Sequence, residues 1–427
     1  MAFGYAQGAI QWLTTDALNA TKVITSLGFR PKALRFYWMG HQSATDSFTQ
    51  AVSERRGIGF CRDASTRRAV GTFSADNAAA ADCASVAADN CICITVDGAG
   101  TVDGRLDISS IDTDGFTLIV DDVTPANLTI FYEVWGLDDI QQVTIGDIAE
   151  PAATGTQNYT ANGFNSRGDN QCVMFAGVQS TAALNTGQVN DSGLCVGAAT
   201  GTAAANNIVV VGNSDDGSDP MDTDSYARNQ ECLAMIVVAG GNPNARAVLS
   251  AFDTDTFTLN WTARGTTNRR FIYMAIKGGG WQAGSYTIRQ DSGRTAAITG
   301  LPFNLKGISF MGSMKTTSAA GTATTQDRIG LGSAAGLTTR QAMGILDEDG
   351  TASSEIDLAI SYDSISSYPS ATGTEQARQD MDIFGYNNFQ VVVEIDAGGP
   401  ENEWMGYLAF GDTKLPKQGT IGHPFII

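Results

Sequence analysis

Two histidines, His41 and His423, are all the imidazole this 427-residue sequence holds. A Ser-His-Asp or Cys-His arrangement has to draw on one of them. His41 follows a strand-like run that recurs twice more without a histidine, and His423 stands four residues before the last one. Both read as exposed polar residues rather than general bases. No G-x-S-x-G, G-x-x-x-x-G-K-[ST], H-E-x-x-H or helix-opening G-x-G-x-x-G is present.

Carboxylates offer the other chemistry, because a pair of them can hydrolyse a glycosidic bond. The pairs are Asp112/Asp114, Asp253/Asp255 and Asp121/Asp122. The first two occupy matching places before a Phe-Thr-Leu strand, where the third copy has Gly385 and Asn387. Asp, Gly and Asn share turn chemistry, so these places read as turns. The acidic loop 213–224 could supply oxygen ligands to calcium, but it lacks the twelve-residue calcium-loop pattern and reads as solvated. Arg167-Gly-Asp169 spells an adhesion tripeptide and is read as chance. Seven cysteines form no C-x-x-C pair, and Cys91 and Cys93, two apart, point to one strand face. Free thiols are expected. Cys83, in an Ala/Asp-rich stretch, is the candidate for a reactive or cross-linking thiol. No cofactor, metal site or catalytic residue is expected.

The composition says what must position such residues. The chain is 43% apolar and 17% charged, which is globular rather than disordered. Gly, Asn, Asp and Thr clusters recur about every ten residues, as short strands joined by tight turns require. The net charge is -19, which repels phosphate backbones and argues against nucleic acid. No apolar run reaches membrane-spanning length, so no membrane partner is expected. The first residues lack a secretory pattern, and synthesis in a cytoplasm is expected.

Three segments repeat. The first strands are Ala33–Gly40, Cys172–Gly177 and Gly307–Gly312, followed by the Gly-centred runs Arg56–Cys61, Ser192–Gly197 and Arg328–Gly332. Cys91–Val96, Cys232–Val238 and Ile356–Ser361 are aligned next, then strands containing Phe116, Phe257 and Phe389, spaced by 141 and 132 residues. Gln142–Gly146, Ser285–Ile288 and Gly419–Gly422 read as the last strand of each copy. Cys61 and Cys195 are aligned with each other, as are Cys91, Cys232 and Ile356, and sites that accept either Cys or hydrocarbon read as packing sites. A period this long is a whole sandwich rather than a solenoid repeat. The expected fold is all-β, three tandem β-sandwich (jelly-roll-like) domains: an arm over 1–23, then sandwiches over 24–150, 151–292 and 293–427.

Trp38, Trp135, Trp261 and Trp404 lie in strand-like runs and are expected in cores. Trp281, in Gly278-Gly-Gly-Trp-Gln-Ala-Gly284, is expected on an exposed loop, as a sugar platform or a subunit contact. Phe3, Tyr5 and Trp12 in the arm, with Phe425 near the other end, are too apolar for free tails and are expected to cover a neighbouring subunit. The competing expectation folds the arm back onto its own first domain.

An acidic Gly/Ala/Thr/Asp-rich chain, almost without His and built of tandem β-sandwiches, resembles virion structural proteins of tailed bacteriophages. The resemblance covers the whole chain, through composition and architecture. It implies a non-enzymatic structural or assembly protein, a capsid decoration or tail component. Its partners would be other virion proteins and copies of itself, and its place the virion after synthesis in a host cytoplasm. The alternative is a receptor- or glycan-binding module on a phage tail or cell surface.

Overall fold

The computed structural model describes every residue except 1, 51–52, 76–81, 168–169, 190–191, 216–221, 237–242, 266–267, 290–291, 314–325, 349–355, 371, 397–401 and 414–427. The fold is all-β, with 66% of the described residues in strands and several antiparallel sheets.

The first eleven strands are β1 (Gly4–Trp12), β2 (Thr21–Ile24), β3 (Pro31–Met39), β4 (Ser47–Gln50), β5 (Glu54–Asp63), β6 (Thr66–Ser74), β7 (Cys83–Ala88), β8 (Cys93–Val96), β9 (Val102–Asp112), β10 (Gly115–Asp122) and β11 (Leu128–Gly136). The next are β12 (Ile140–Ala149), β13 (Gly155–Thr160), β14 (Gln171–Val178), β15 (Gln188–Val189), β16 (Leu194–Ala199), β17 (Asn207–Asp215), β18 (Asp222–Arg228), β19 (Leu233–Met235), β20 (Ala245–Asp253), β21 (Thr256–Ala263) and β22 (Arg270–Gly278). The last are β23 (Gly280–Arg289), β24 (Thr295–Ile298), β25 (Asn304–Ser313), β26 (Gln326–Asp327), β27 (Ile329–Ala334), β28 (Arg340–Glu348), β29 (Ile356–Ser361), β30 (Ser366–Pro369), β31 (Glu375–Phe384), β32 (Phe389–Asp396) and β33 (Asn402–Asp412).

Each set of eleven is wired alike. The large sheets run β1-β11-β3-β5-β6-β7, β12-β22-β14-β16-β17-β18 and β23-β33-β25-β27-β28-β29, and the small ones β2-β10-β9-β8, β13-β21-β20-β19 and β24-β32-β31-β30. Large and small sheet of a set enclose a core of their own. The other faces of the three large sheets meet in one shared core, where Tyr37 and Phe60 lie with Met174 and Val210 and with Met311 and Met343. That is why β11 and β14 are buried at every residue: a sheet covered on both faces wants continuous apolar strands, not alternating ones.

The expected equivalence of three phenylalanines holds. Phe116 meets Tyr132 at 5.4 Å and Phe36 at 5.9 Å, edge to face. Phe257 meets Tyr273 at 5.1 Å and Phe175 at 5.8 Å, and Phe389 meets Tyr407 at 5.2 Å and Phe310 at 6.1 Å. Each tyrosine hydroxyl lies over a glycine of the first strand of its set, Gly8, Gly146 or Gly284, because no side chain fits there. The central glycines of β5, β16 and β27 carry a stricter demand. A Cβ on Gly59, Gly197 or Gly332 would lie 1.7, 2.1 or 2.1 Å from the carbonyl oxygen of Ile92, Cys232 or Ile365, each the residue just before the edge strand of the facing small sheet.

Those contacts correct the sequence alignment. The partner of Cys232 in the other sets is Ile92 and Ile365, whereas Ile356 begins β29, the edge strand matching β7 and β18. Cys61 follows Gly59 by two residues and Cys195 precedes Gly197 by two, so they are not equivalent. The boundaries move as well. Gly4–Trp12 is a full strand on β11, so 1–23 is no arm; Ile140–Ala149 pairs β22 and Gly280–Arg289 pairs β33, so each opens a set instead of closing one. The junctions thus fall at 137–139 and 279, not at 150 and 292. Gly419–Gly422, read as a closing strand, lies outside the described residues.

Gly59→Ala is expected to cost about 3 kcal/mol, because the blocking atom is backbone and cannot rotate away. Gly336→Ala, where an added Cβ meets nothing within 4 Å, is expected to be neutral or slightly stabilising. Chemical denaturation of both variants checks this.

Candidate functional site

The residues picked out for outside contacts lie mostly at internal seams. Trp281 is not on a loop: it sits in β23 and is buried, with Nε1 donating to the Gly278 carbonyl at 2.6 Å. Around it are Phe3 at 5.9 Å, Phe410 at 5.4 Å and Trp135 at 6.1 Å. Tyr5 meets Phe410 at 4.6 Å and Trp135 at 6.0 Å. Phe3 and Tyr5 belong to the first set, Trp281 and Phe410 to the third, so this aromatic cluster joins the first strand of the chain to its last described one. The Phe3 amide also donates to Asp412 at 2.8 Å. Trp12 is fully buried in the core of the first set. The expectation that the N-terminal aromatics cover a neighbouring subunit is therefore corrected: the surface they cover belongs to their own chain. Phe425 and His423 lie outside the described residues.

Three seams close a ring. Between the first and second sets, Arg62 donates to the Val143 carbonyl at 3.1 Å, Arg68 pairs with Asp147 at 2.9 Å, and β15 adds to the edge of β7. Between the second and third, the Ala283 amide donates to Thr200 Oγ1 at 2.9 Å, and Thr223 Oγ1 to the Asp347 carbonyl at 3.0 Å. Between the third and first, Gln7 donates to the Thr339 carbonyl at 3.1 Å, Tyr37 shares a hydrogen bond with Ser333 at 3.2 Å, and β4 adds to the edge of β29.

All three sets converge on Arg56. Its guanidinium pairs with Glu54 of its own strand and with Asp327 of the third set at 2.5 Å, and donates to the Ser192 and Gly212 carbonyls of the second set at 3.0 Å each. Counted from the central glycines, Glu54, Ser192 and Asp327 hold matching positions. Burial pushes the Glu54 carboxyl up to about 8, against the pull of Arg56 and helped by Asp327 and Asp347. Burial likewise raises Asp327, again opposed by Arg56. A second buried network ties Arg35 to Glu133 at 3.0 Å, with Tyr5 and Ser309 donating to the same carboxylate at 3.0 and 2.5 Å. Sequence reasoning missed both networks. The signal was there in charges inside otherwise apolar strands, Glu54-Arg55-Arg56 before Gly57-Ile58-Gly59 and Arg35 between Leu34 and Phe36.

The remaining candidates are accounted for by structure. His41 is half-buried between Ser47 Oγ at 3.0 Å and Thr49 Oγ1 at 2.9 Å, and burial pushes its imidazole down, which favours the neutral form. Asp112 accepts from Thr117 at 2.9 Å and Asp253 from Thr258 at 3.2 Å across their own hairpins. Asp114 and Asp255 accept from the amides of Gly28 and Gly163 at 2.5 and 2.7 Å, pinning the loop before the third strand of each set. All seven cysteines are free and buried, Cys83 with them, and burial raises the Cys83 thiol. A thiol without solvent access and held protonated does not suit cross-linking. Gly168, Asp169 and residues 216–221 of the acidic loop lie outside the described residues. Among the described residues, no group of three or more His, Cys, Asp or Glu side chains is placed to hold a metal, and no helix is long and apolar enough to cross a membrane.

No protein-family model matches the sequence, and neither does any curated protein. Among solved structures the chain aligns with the crystal structure of Pseudomonas aeruginosa OccK7 (OpdD) at 13% identity over 77% of this chain and 96% of that one. The TM-score is 0.10, so the alignment carries no statement about the fold.

Removing the Arg56 guanidinium strands two buried carboxylates, so Arg56→Met is expected to destabilise the protein by about 3–5 kcal/mol at pH 8. A second expectation concerns pH. Glu54 at about 8 and Asp380 at about 7 are both raised by burial, so the folded chain holds protons that the unfolded chain releases. Their stabilising effect is complete below the ordinary carboxylate range and is lost as pH rises through 7 and 8. His41, shifted down, acts oppositely only below its ordinary value of 6.5. The melting temperature should therefore be higher at pH 6.5 than at pH 8.5, and Glu54→Gln should shrink that difference.

Proposed function

We propose that the chain consists of three tandem β-sandwich domains, jelly-roll-like in placing the first, last and third strands side by side, and that it is a non-enzymatic structural or assembly protein of a tailed-phage virion. It would act as a capsid decoration or tail component, contacting other virion proteins and copies of itself, and be made in the host cytoplasm. One observation carries this reading. Aromatic and ionic side chains of the kind that form binding sites are spent on closing one chain into a ring, as in Phe3 on Trp281 and Arg56 between Glu54 and Asp327. Such a body is built to keep its shape under load, and a net charge of -19 directs it toward protein surfaces rather than nucleic acid. Trp281, expected as an exposed sugar platform or subunit contact, is buried and supports neither role, the glycan-binding alternative included.

Density-gradient-purified particles from a lysate in which the chain is produced should contain it at a fixed copy number per particle by quantitative mass spectrometry. A chain that stays wholly in the particle-free fraction would overturn the proposal.

A further inference from the structure

The seam between the first and second sets contains a cleft of about 360 Å³ that neither network above uses. One wall comes from the first set, with Arg30, Lys32, Arg62, Asp63 and Ile111, and the other is the start of β12, residues 140–143. Three cations face one carboxylate there, an excess of two positive charges on a chain that carries -19 overall. Lys32 and Arg62 are already anchored, Lys32 on the Ile140 carbonyl at 2.7 Å and Arg62 on the Val143 carbonyl, on Asp63 at 2.8 Å and on Thr66 at 2.8 Å. These bonds fix the cations in place and leave N–H groups over, since an ammonium has three and a guanidinium five. The Arg30 side chain is exposed and has no hydrogen-bond or ion-pair partner among the described residues. Beside this cationic rim, the half-buried Ile111 gives the cleft an apolar side, with the buried Pro31 and Ile140 behind it.

The site belongs to one seam. Counted from Gly59, Gly197 and Gly332, the place of Arg62 is taken by Thr200 and Ala335, which carry no charge. The threefold wiring does not call for an arginine here, and the seams that lack one close by other hydrogen bonds.

We infer that this cleft binds one small organic oxyanion per chain, a carboxylate or phosphate carrying a short apolar group, held by Arg30, Lys32 and Arg62 with its apolar part against Ile111 and its far side on Gln141 and Gln142. Such volume and lining, apolar with a few convergent polar groups, suit a small ligand more than a protein loop. A guanidinium offers paired donors matching a carboxylate or phosphate edge. A ligand there touches both sets, so binding also tightens that seam.

The test follows the Ile111 and Ile140 methyl resonances of the full chain during titration with inorganic phosphate and, separately, with isovalerate, at constant ionic strength. A saturable shift at one site per chain is expected, weakened roughly fivefold or more by Arg30→Gln, an exposed position that leaves the fold intact. Tighter binding of isovalerate identifies a carboxylate with an apolar tail, and tighter binding of phosphate identifies a phosphate headgroup. Absence of saturation by either probe up to about 20 mM, or equal affinity in Arg30→Gln, overturns the inference.

Discussion

A β-sheet with two apolar faces has to be covered twice. Each large sheet here receives its first cover from the small sheet of its own set and its second from the other two large sheets. No set could expose its second face to water without leaving a broad apolar surface, and the cheapest cover is two more sheets of the same shape. The repetition in the sequence, the ring of seams and the glycines that let sheets approach are consequences of that single requirement. The glycines matter because sandwich layers this close leave no room for a Cβ opposite a carbonyl, as at Gly59 and Ile92.

Apolar packing is non-directional, so it holds three sheets together without fixing how they are turned. The buried polar groups supply direction. Arg56 satisfies its donors only when Glu54, Asp327 and the Ser192 and Gly212 carbonyls are all in register. Glu133 likewise needs Arg35 and Tyr5 from the first set and Ser309 from the third. A slipped arrangement would keep most of its hydrophobic area yet leave a buried charge unpaired, which costs several kcal/mol. The ring is thus threefold in backbone and asymmetric in chemistry, since Arg56, Leu194 and Ile329 occupy matching positions.

Much of this was legible in the residues. The all-β class followed from turn spacing, and Phe116, Phe257 and Phe389 marked the same place in each core because an aromatic wedge between two sheets tolerates little substitution. The phase of the repeat was not legible. Gln142–Gly146 follows β11 directly in sequence, and adjacency made it look like a closing strand, whereas pairing with β22 makes it an opening one. Local pattern identifies a strand but not its partner, and partnership here is decided across more than a hundred residues. Trp281 was misplaced for a related reason: three glycines before it suggest a loop, yet Gly278 and Gly279 make the turn at positive φ and Gly280 already begins β23. Ion pairs at seams left only faint traces, because a charge between apolar residues in a strand can equally well face water.

The closure of the ring by its two chain-distant edges has a consequence for biosynthesis. A ribosome delivers β1 long before β33, so the aromatic nest that receives Phe3 and Tyr5 is finished only when Phe410 emerges, and β4 must wait for β29. The nascent chain can complete the small sheet and inner core of its first set early, but it carries an unsheltered apolar face through most of translation. Final closure is therefore a late, long-range event with a high loop entropy to overcome, which makes it the slow and aggregation-exposed stage of maturation. A dense negative charge on the outside of the molecule keeps neighbouring nascent chains apart during that wait.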